Sequence, residues 1–343
     1  MISTAMLDEE LMGQIDDRIA RLLPASSRAD PLYGMIKYHL GWVDDRLQPV
    51  RNDPGKRIRS RLCLLSCMAA GSPPERALAP ATAIELVHNF SLVHDDIQDR
   101  SRYRRYRRTV WDLWGEAQAI NAGDGLFTLA QLALADDPEA SPWVIMRAFR
   151  ALNGACRSLC EGQFLDLDFE TRPTVTVEDY FAMIEHKTGA LLATSCLLGA
   201  LYGGAPEPAL DEYYNFGRHL GLAFQIRDDY LGIWGDPKDT GKPSADDLTS
   251  KKKTLPILYA LAASAGDDRA RLESFLAAGG PAEETEAAAI LAILDRCGAD
   301  SYTTQGVERE SRNAIDALSR AQPVPEAAAA LTHLCEMLSL RTR

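Results

Sequence analysis

Two aspartate clusters stand far apart in the chain, each inside an apolar, helix-patterned segment. The first is Asp95-Asp96-Ile97-Gln98-Asp99, within HNFSLVHDDIQD. The second is Asp228-Asp229, within FQIRDDYLGIWGD. Carboxylates are rarely buried without a partner. Basic residues follow both clusters, so magnesium ions and a polyanion are the partners that would neutralise them. Oxygen-only ligands in small groups suit magnesium, which keeps several waters and bridges to phosphate oxygens. A solvated acidic face is the alternative, and the flanking apolar residues weigh against it.

Helices must carry both clusters. Leu86, Phe90, Val93 and Ile97 recur at spacings of four, three and four, which is a core stripe. His88, Asp95 and Asp99 then form a column on one face, with Asp96 to its side. The second helix is expected from about Glu212 to Trp234. It carries Phe216, Leu220, Phe224 and Ile226 or Tyr230 inward, with Asp228 and Asp229 towards its C-terminal end. Aspartates there oppose the helix dipole, and a bound cation would offset that.

Cations are as conspicuous as carboxylates. Arg100, Arg102, Arg104, Arg105, Arg107 and Arg108 follow the first cluster, interleaved with Tyr103 and Tyr106. The run reads as an RNA-binding arm or as forks that grip diphosphate oxygens. Gly55-Lys56-Arg57-Ile58-Arg59 opens another helix with bases three apart. Lys242 follows Asp239-Thr240-Gly241, and Lys251, Lys252 and Lys253 are consecutive. Together these residues could hold two diphosphates at once.

The rest of the chain narrows the class. A net charge of −12 over 343 residues argues against nucleic acid and anionic membranes as partners. The N-terminus lacks the basic start and apolar core of a secretion signal. The most apolar run, Ala190 to Tyr202, is too short to span a bilayer and reads as a buried helix. Seven cysteines without a CxxC suit free, buried thiols in a reducing cytoplasm. Short Pro- and Gly-containing patches separate helical patterns. Thr174 to Val177 alternates like a strand, but Thr176 with Asp179 reads as a capping box opening a helix at Glu178. The expected fold is one all-α domain.

GKRIR at Gly55, LVHNFSLVHDDIQD with its paired arginines, NAGDGLF at Asn121, EGQFLDL at Glu161, KTGALL at Lys187, and QIRDDYLGIWGD with TGK and KKKTLP occur in one order. In that order they resemble the trans-isoprenyl diphosphate synthases, the farnesyl and geranylgeranyl diphosphate synthase family. The resemblance runs from about Pro31 to Ala260, with a weaker match from Tyr302 to Leu318. It implies a single-domain, homodimeric helical bundle around a deep central cavity, with residues 1–30 as an N-terminal extension. It implies that about three magnesium ions, replaceable by manganese, hold an allylic diphosphate (dimethylallyl, geranyl or farnesyl) beside isopentenyl diphosphate. The allylic diphosphate ionises, the isopentenyl double bond attacks, and a proton is lost.

Carried over by position, the resemblance makes Asp95, Asp96, Asp99, Asp228 and Asp229 the metal aspartates. Arg104, Lys187, Lys242 and Lys252 fall around the allylic diphosphate. Lys56, Arg59, His88 and Arg105 fall in the isopentenyl diphosphate pocket, and Thr188 and Gln225 beside the reacting carbons. Lys252 has lysines on both sides, so its register is open by one. Tyr106 and Arg108 stand where the family usually has glycine and proline. Gly232 stands where a third aspartate is often found, and Asp236 lies about 10 Å along the axis from Asp229 if the helix continues.

Bulk one to two turns before the first motif floors the product shaft in the family. Phe90, with Ser91 and Val87 beside it, resembles geranylgeranyl synthases, and farnesyl or longer products are the alternatives. Phe90 lies about 140° round the helix from Asp95, so ordinary core packing is its other reading. A terpene cyclase would not need the isopentenyl diphosphate pocket. A non-catalytic partner subunit would be expected to lose one aspartate pair.

Overall fold

The computed structural model describes residues 4–24, 27–52, 55–236, 246–278 and 280–339. The chain divides into two compact units, residues 1–153 with 195–206 and residues 154–194 with 207–343.

The first unit is built on α1 (Thr4–Leu22), α2 (Asp30–His39), α3 (Ile58–Ala69), α4 (Leu78–Gln98), α5 (Val110–Trp114) and α6 (Glu116–Ala135). α4 carries the first aspartate cluster and packs along α6. Leu86 and Val93 are buried as the stripe requires, while Phe90 and Ile97 are half-buried. α1 seats Ile15 and Ile19, both fully buried. Its Asp16 pairs with Arg57 at 2.5 Å.

That pair corrects the reading of GKRIR. Arg57 caps α3 in the left-handed region, at φ 47°, and the helix begins only at Ile58. Lys56 is therefore outside the helix and exposed, not in a helical column with Arg59. The buried Arg57 also faces Glu85 at 4.0 Å, and these two carboxylates account for a strained, buried cation.

Strand also occurs where none is expected. β1 (Tyr103–Arg104) and β2 (Arg107–Arg108) pair antiparallel within the arginine run. Arg105 and Tyr106 form the two-residue turn, with φ 50° and 62°. A turn with both central residues left-handed normally takes Asn or Gly. This one is held from outside. Tyr38 donates its hydroxyl to the Arg108 carbonyl at 2.8 Å. The Arg107 guanidinium lies 4.0 Å from the Tyr38 ring centroid. It donates to the carbonyls of Tyr38 and Val43, each at 2.9 Å.

α7 (Pro142–Thr171) and α9 (Ala190–Tyr202) each carry residues of both units, and the second unit contains α8 (Val177–Ile184), a single π-helical turn (Glu185–Gly189) and α10 (Glu207–Trp234). Thr176 and Asp179 make the expected capping box, one residue earlier than read. α10 begins five residues before the expected Glu212. It packs along the helix Ala299–Arg320. Phe216, Leu220 and Ile226 are buried, while Phe224 and Tyr230 are half-buried. Because α10 ends at Trp234, the exposed Asp236 does not continue the helical column of Asp229.

All seven cysteines are free, but Cys160 is exposed and Cys297 half-buried, against the expectation that all are buried. No described helix is long and apolar enough to cross a membrane.

Candidate active site

In the first unit, α4 and the hairpin bring Asp96 and Arg104 together. Asp96 is 2% exposed, and Arg104 donates Nε to both carboxylate oxygens at 2.9 and 3.1 Å. A terminal guanidinium nitrogen lies 2.8 Å from the same carboxylate. Burial raises the Asp96 pKa even so, with Arg104 pulling the other way. Asp95 is half-buried, and Asp99 is exposed at the C-cap of α4.

The predicted isopentenyl set is partly assembled. Arg59 approaches His88 Nε2 at 3.3 Å. Burial, then the charges of Arg59, Arg105 and Arg104, drives the His88 pKa well below its ordinary value. His88 is thus a neutral acceptor among cations. Burial lowers Arg59 to about 10, and its Nε is buried without a protein partner. Arg105 lays its guanidinium 2.6 Å from where a Cβ on Gly55 would sit, and the left-handed φ of 85° at Gly55 is what favours glycine there. Lys56 stays exposed.

The chain-length candidates are on the same helix. Val87 and Ser91 are buried. The Phe90 ring packs against His94 at 4.9 Å and against Phe127 of α6 at 5.3 Å.

In the second unit, a cleft is lined by Asp166, Tyr180, Lys187, Gln225, Asp229 and Lys252. The π turn supplies Lys187 and Thr188, and two close crossings aim it. A Cβ on Gly162 would overlap the Lys187 backbone, and one on Gly221 would lie 2.7 Å from the Gly189 Cα. One turn beyond Gly162, Asp166 accepts from Lys187 at 2.5 Å. One turn beyond Gly221, Gln225 accepts from Thr188 Oγ1 at 2.9 Å and donates to Asp229 at 3.1 Å. Burial opposes a charged Asp166, but Lys252 and then Lys187 outweigh it and lower its pKa.

Asp229 is buried, at 3% exposure, and burial pushes its pKa up to about 7. Tyr180 donates to it at 2.6 Å. Asp228 is exposed. Lys252 and Lys253 both line this cleft, and Lys252 is the one whose charge faces its carboxylates. Desolvation would lower its pKa, but Asp166, Asp229, Asp247 and Asp228 outweigh this and raise it. Lys251, left-handed at φ 55°, reaches the Ala278 carbonyl. Lys253 caps the carbonyls of Phe169 and Arg172 at 2.6 Å each. Lys242 lies outside the described residues.

Several neighbours escaped the sequence reading. Asp166 sits in the quoted EGQFLDL, and its one-turn spacing from Gly162 was the available signal. Tyr180 had none beyond its helix. Asp247 takes the space over Gly232, because a Cβ at Gly232 would collide with its carboxylate. That space is where a third aspartate of the second motif would point.

Comparison with known proteins gives the family. The polyprenyl synthetase family model matches residues 41–294. A (2E,6E)-farnesyl diphosphate synthase of Mycobacterium tuberculosis H37Rv is 43% identical over 299 residues, covering 86% of this chain and 82% of that protein. A geranylgeranyl diphosphate synthase of the same strain is 40% identical over 269 residues, covering 74% and 76%. The crystal structure of a polyprenyl synthetase from Streptomyces coelicolor A3(2) matches with a TM-score of 0.87 at 40% identity, covering 96% of each chain. The chain belongs to the polyprenyl synthetase family and has its all-α isoprenoid synthase fold.

Proposed function

We propose that this short-chain trans-prenyltransferase joins isopentenyl diphosphate head-to-tail to an allylic diphosphate and gives mainly geranylgeranyl diphosphate. Farnesyl diphosphate is the runner-up product. One observation carries the reading. In each unit a buried aspartate of an acidic motif stands beside cations suited to diphosphate oxygens, Asp96 with Arg104 and Asp229 with Lys252. The assembled Arg59–His88 pair favours elongation over cyclisation, since a cyclase has no isopentenyl diphosphate to hold.

The family uses divalent metal. Among the described residues, no three His, Cys, Asp or Glu side chains converge tightly enough to cage a metal alone. Magnesium needs only one or two protein carboxylates and completes its shell with water and phosphate oxygens. The buried Asp229, high in pKa, is a carboxylate that a cation would restore to its charged form. We read about three magnesium ions held by Asp95, Asp96, Asp99, Asp228 and Asp229, with manganese able to replace them. Bound magnesium would supply Lewis-acid stabilisation of the leaving diphosphate.

The chain's own groups do the rest. Arg104, Lys187 and Lys252 grip the allylic diphosphate and stabilise the charge it gains as its carbon–oxygen bond breaks. Arg59, His88 and Arg105 hold isopentenyl diphosphate so that its double bond meets the allylic carbon. Thr188 fixes the Gln225 amide beside Asp229. The departing diphosphate takes the proton released when the new double bond forms. Phe90, Val87 and Ser91 set where the growing tail stops.

Three further parts of the reading have their own support. The whole chain is one synthase domain with residues 1–30 as an extension: the chain passes between its two units at 153/154, 194/195 and 206/207, so neither is one continuous stretch. It is a homodimer, consistent with Ile120 and Leu132 standing 45% and 43% exposed on α6. It is cytoplasmic, consistent with seven free cysteines.

Turnover of the purified protein with isopentenyl and dimethylallyl diphosphates, with the dephosphorylated alcohols separated by chromatography, tests the reaction and the product together. Asp95→Ala and Asp228→Ala should each lower turnover at least about a hundredfold. Near-normal turnover by either folded variant would remove that aspartate from the metal set.

A further inference from the structure

The π turn that presents Lys187 and Thr188 is held residue by residue within the second unit. Ala190 N–H closes it on the Glu185 carbonyl. His186 Nδ1 lies 2.6 Å from Ser158 Oγ. Lys187 and Thr188 are bonded to Asp166 and Gln225, and Gly189 crosses Gly221. Glu185, the first residue of the turn, accepts from Nη1 of Arg218 on α10 at 3.1 Å. The two side chains of that pair are 27% and 47% exposed. An exposed ion pair of two long side chains adds little by itself, because both must be ordered to form it.

Arg218 is ordered from behind. Its Nη2 lies 2.9 Å from Nε2 of His219. A guanidinium can only donate, so Nε2 is the acceptor and carries no proton. Nδ1 carries it instead and donates to Glu310 Oε2, on the helix Ala299–Arg320, at 2.7 Å. Glu310 is buried, and its other oxygen accepts from Arg309 at 3.1 Å. Burial opposes a charged Glu310, but the hydrogen bonds from His219 and Arg309 outweigh it and lower its pKa. Consecutive helix residues point about 100° apart and do not ordinarily meet. Arg218 meets His219 nonetheless, and the other terminal nitrogen of the same fork reaches Glu185.

We propose that His219 is a positioning residue for the π turn: backed by Glu310, its Nε2 sets the Arg218 fork against Glu185 and so holds the backbone that presents Lys187 and Thr188 to the allylic diphosphate. The inference rests on the placement of Lys187 at that diphosphate given above. The need arises when substrate binds. A diphosphate competes with Asp166 for Lys187, and as Lys187 turns to it the π turn loses one of its ties. Glu185 stays tied to α10, because its partner Arg218 is already ordered by His219. A neutral acceptor suits this task. It orients the guanidinium and leaves its charge for Glu185.

Steady-state kinetics of the full chain with dimethylallyl and isopentenyl diphosphates tests this. Asn in place of His keeps a donor near the Nδ1 position for Glu310 and drops the acceptor for Arg218. His219→Asn and Arg218→Ala should each raise the dimethylallyl diphosphate KM about fivefold, with the isopentenyl diphosphate KM within about twofold. The double variant should stay within about twofold of Arg218→Ala alone, since both residues act through one contact. Arg218→Ala, at a half-buried position, decides the tie to Glu185 even if His219→Asn does not fold. A parental dimethylallyl diphosphate KM in either folded single variant overturns the proposal. So does an equal rise for both substrates, or a double variant in which the two effects multiply. Lys187→Ala separates the two readings. If it leaves the dimethylallyl diphosphate KM unchanged, the placement of Lys187 is wrong. If it raises that KM while the Arg218 and His219 variants do not, only the role of His219 falls.

Discussion

Tyr180 donates its hydroxyl hydrogen to Asp229 across 2.6 Å, and neither side chain meets solvent, at 1% and 3% exposure. The bond orients one aspartate of the second motif from a helix that carries no motif of its own. Tyr180→Phe leaves a buried carboxylate short of a donor. We expect a loss of about 1–3 kcal/mol in the metal-free protein, read by urea unfolding. We also expect a magnesium requirement raised about tenfold or more, as for other groups that orient a metal ligand. An unchanged magnesium titration would mean that Tyr180 serves packing alone.

The three consecutive lysines should separate by phenotype. Lys252→Ala should raise the allylic KM and lower turnover by at least about tenfold, because it removes the cation beside Asp166 and Asp229. Lys251 and Lys253 bind backbone carbonyls, and Lys251 also faces the Phe275 ring at 5.1 Å. Their alanine variants should lose about 1–2 kcal/mol of stability with KM unchanged. A catalytic loss in Lys253→Ala equal to that in Lys252→Ala would count against Lys252 as the diphosphate lysine.

Arg107 holds the hairpin that carries Arg104 and Arg105. Arg107→Gln removes the cation over Tyr38 and part of the fork that binds two carbonyls. Both substrate KM values should rise severalfold, and Arg107→Lys should recover part of the loss. Tyr106→Gly should do the opposite to stability. Its φ of 62° is natural to glycine, and relief of the strain is worth up to about 1 kcal/mol. A melting temperature lowered by Tyr106→Gly would show that the tyrosine ring, 93% exposed here, has a partner elsewhere.

Product length should respond to α4. Phe90→Ala opens the space beside Phe127, and longer prenyl alcohols should appear after dephosphorylation. Ser91→Phe fills a buried position and should shorten the product to farnesyl. If both variants stay folded and active with unchanged product, this helix does not set length.

How much of this was legible beforehand follows from the range of the interactions. The helices at Leu78–Gln98 and Glu207–Trp234 show in their apolar period, and the Thr176–Asp179 capping box spans only four residues. The arginine hairpin has no alternation to betray it. It is anchored by Tyr38, 70 residues from Arg108. Arg57 was read as a helix residue, yet its pairing with Asp16 leaves it outside the helix in a left-handed conformation.

Residue types and short spacings were enough to name the chemistry: two acidic motifs, the arginines and lysines to answer them, and an all-α frame. These are local properties, set by period and by side-chain functional groups. Which cation answers which carboxylate was decided by tertiary packing. Three identical lysines cannot be told apart by type, and only the fold gives Lys252 carboxylate neighbours and Lys251 and Lys253 backbone carbonyls. Likewise Asp166 and Tyr180 acquire their partners from residues 21 and 49 positions away. Hydrogen bonds and ion pairs act over a few ångströms in space, and the fold alone brings such distant positions within that reach.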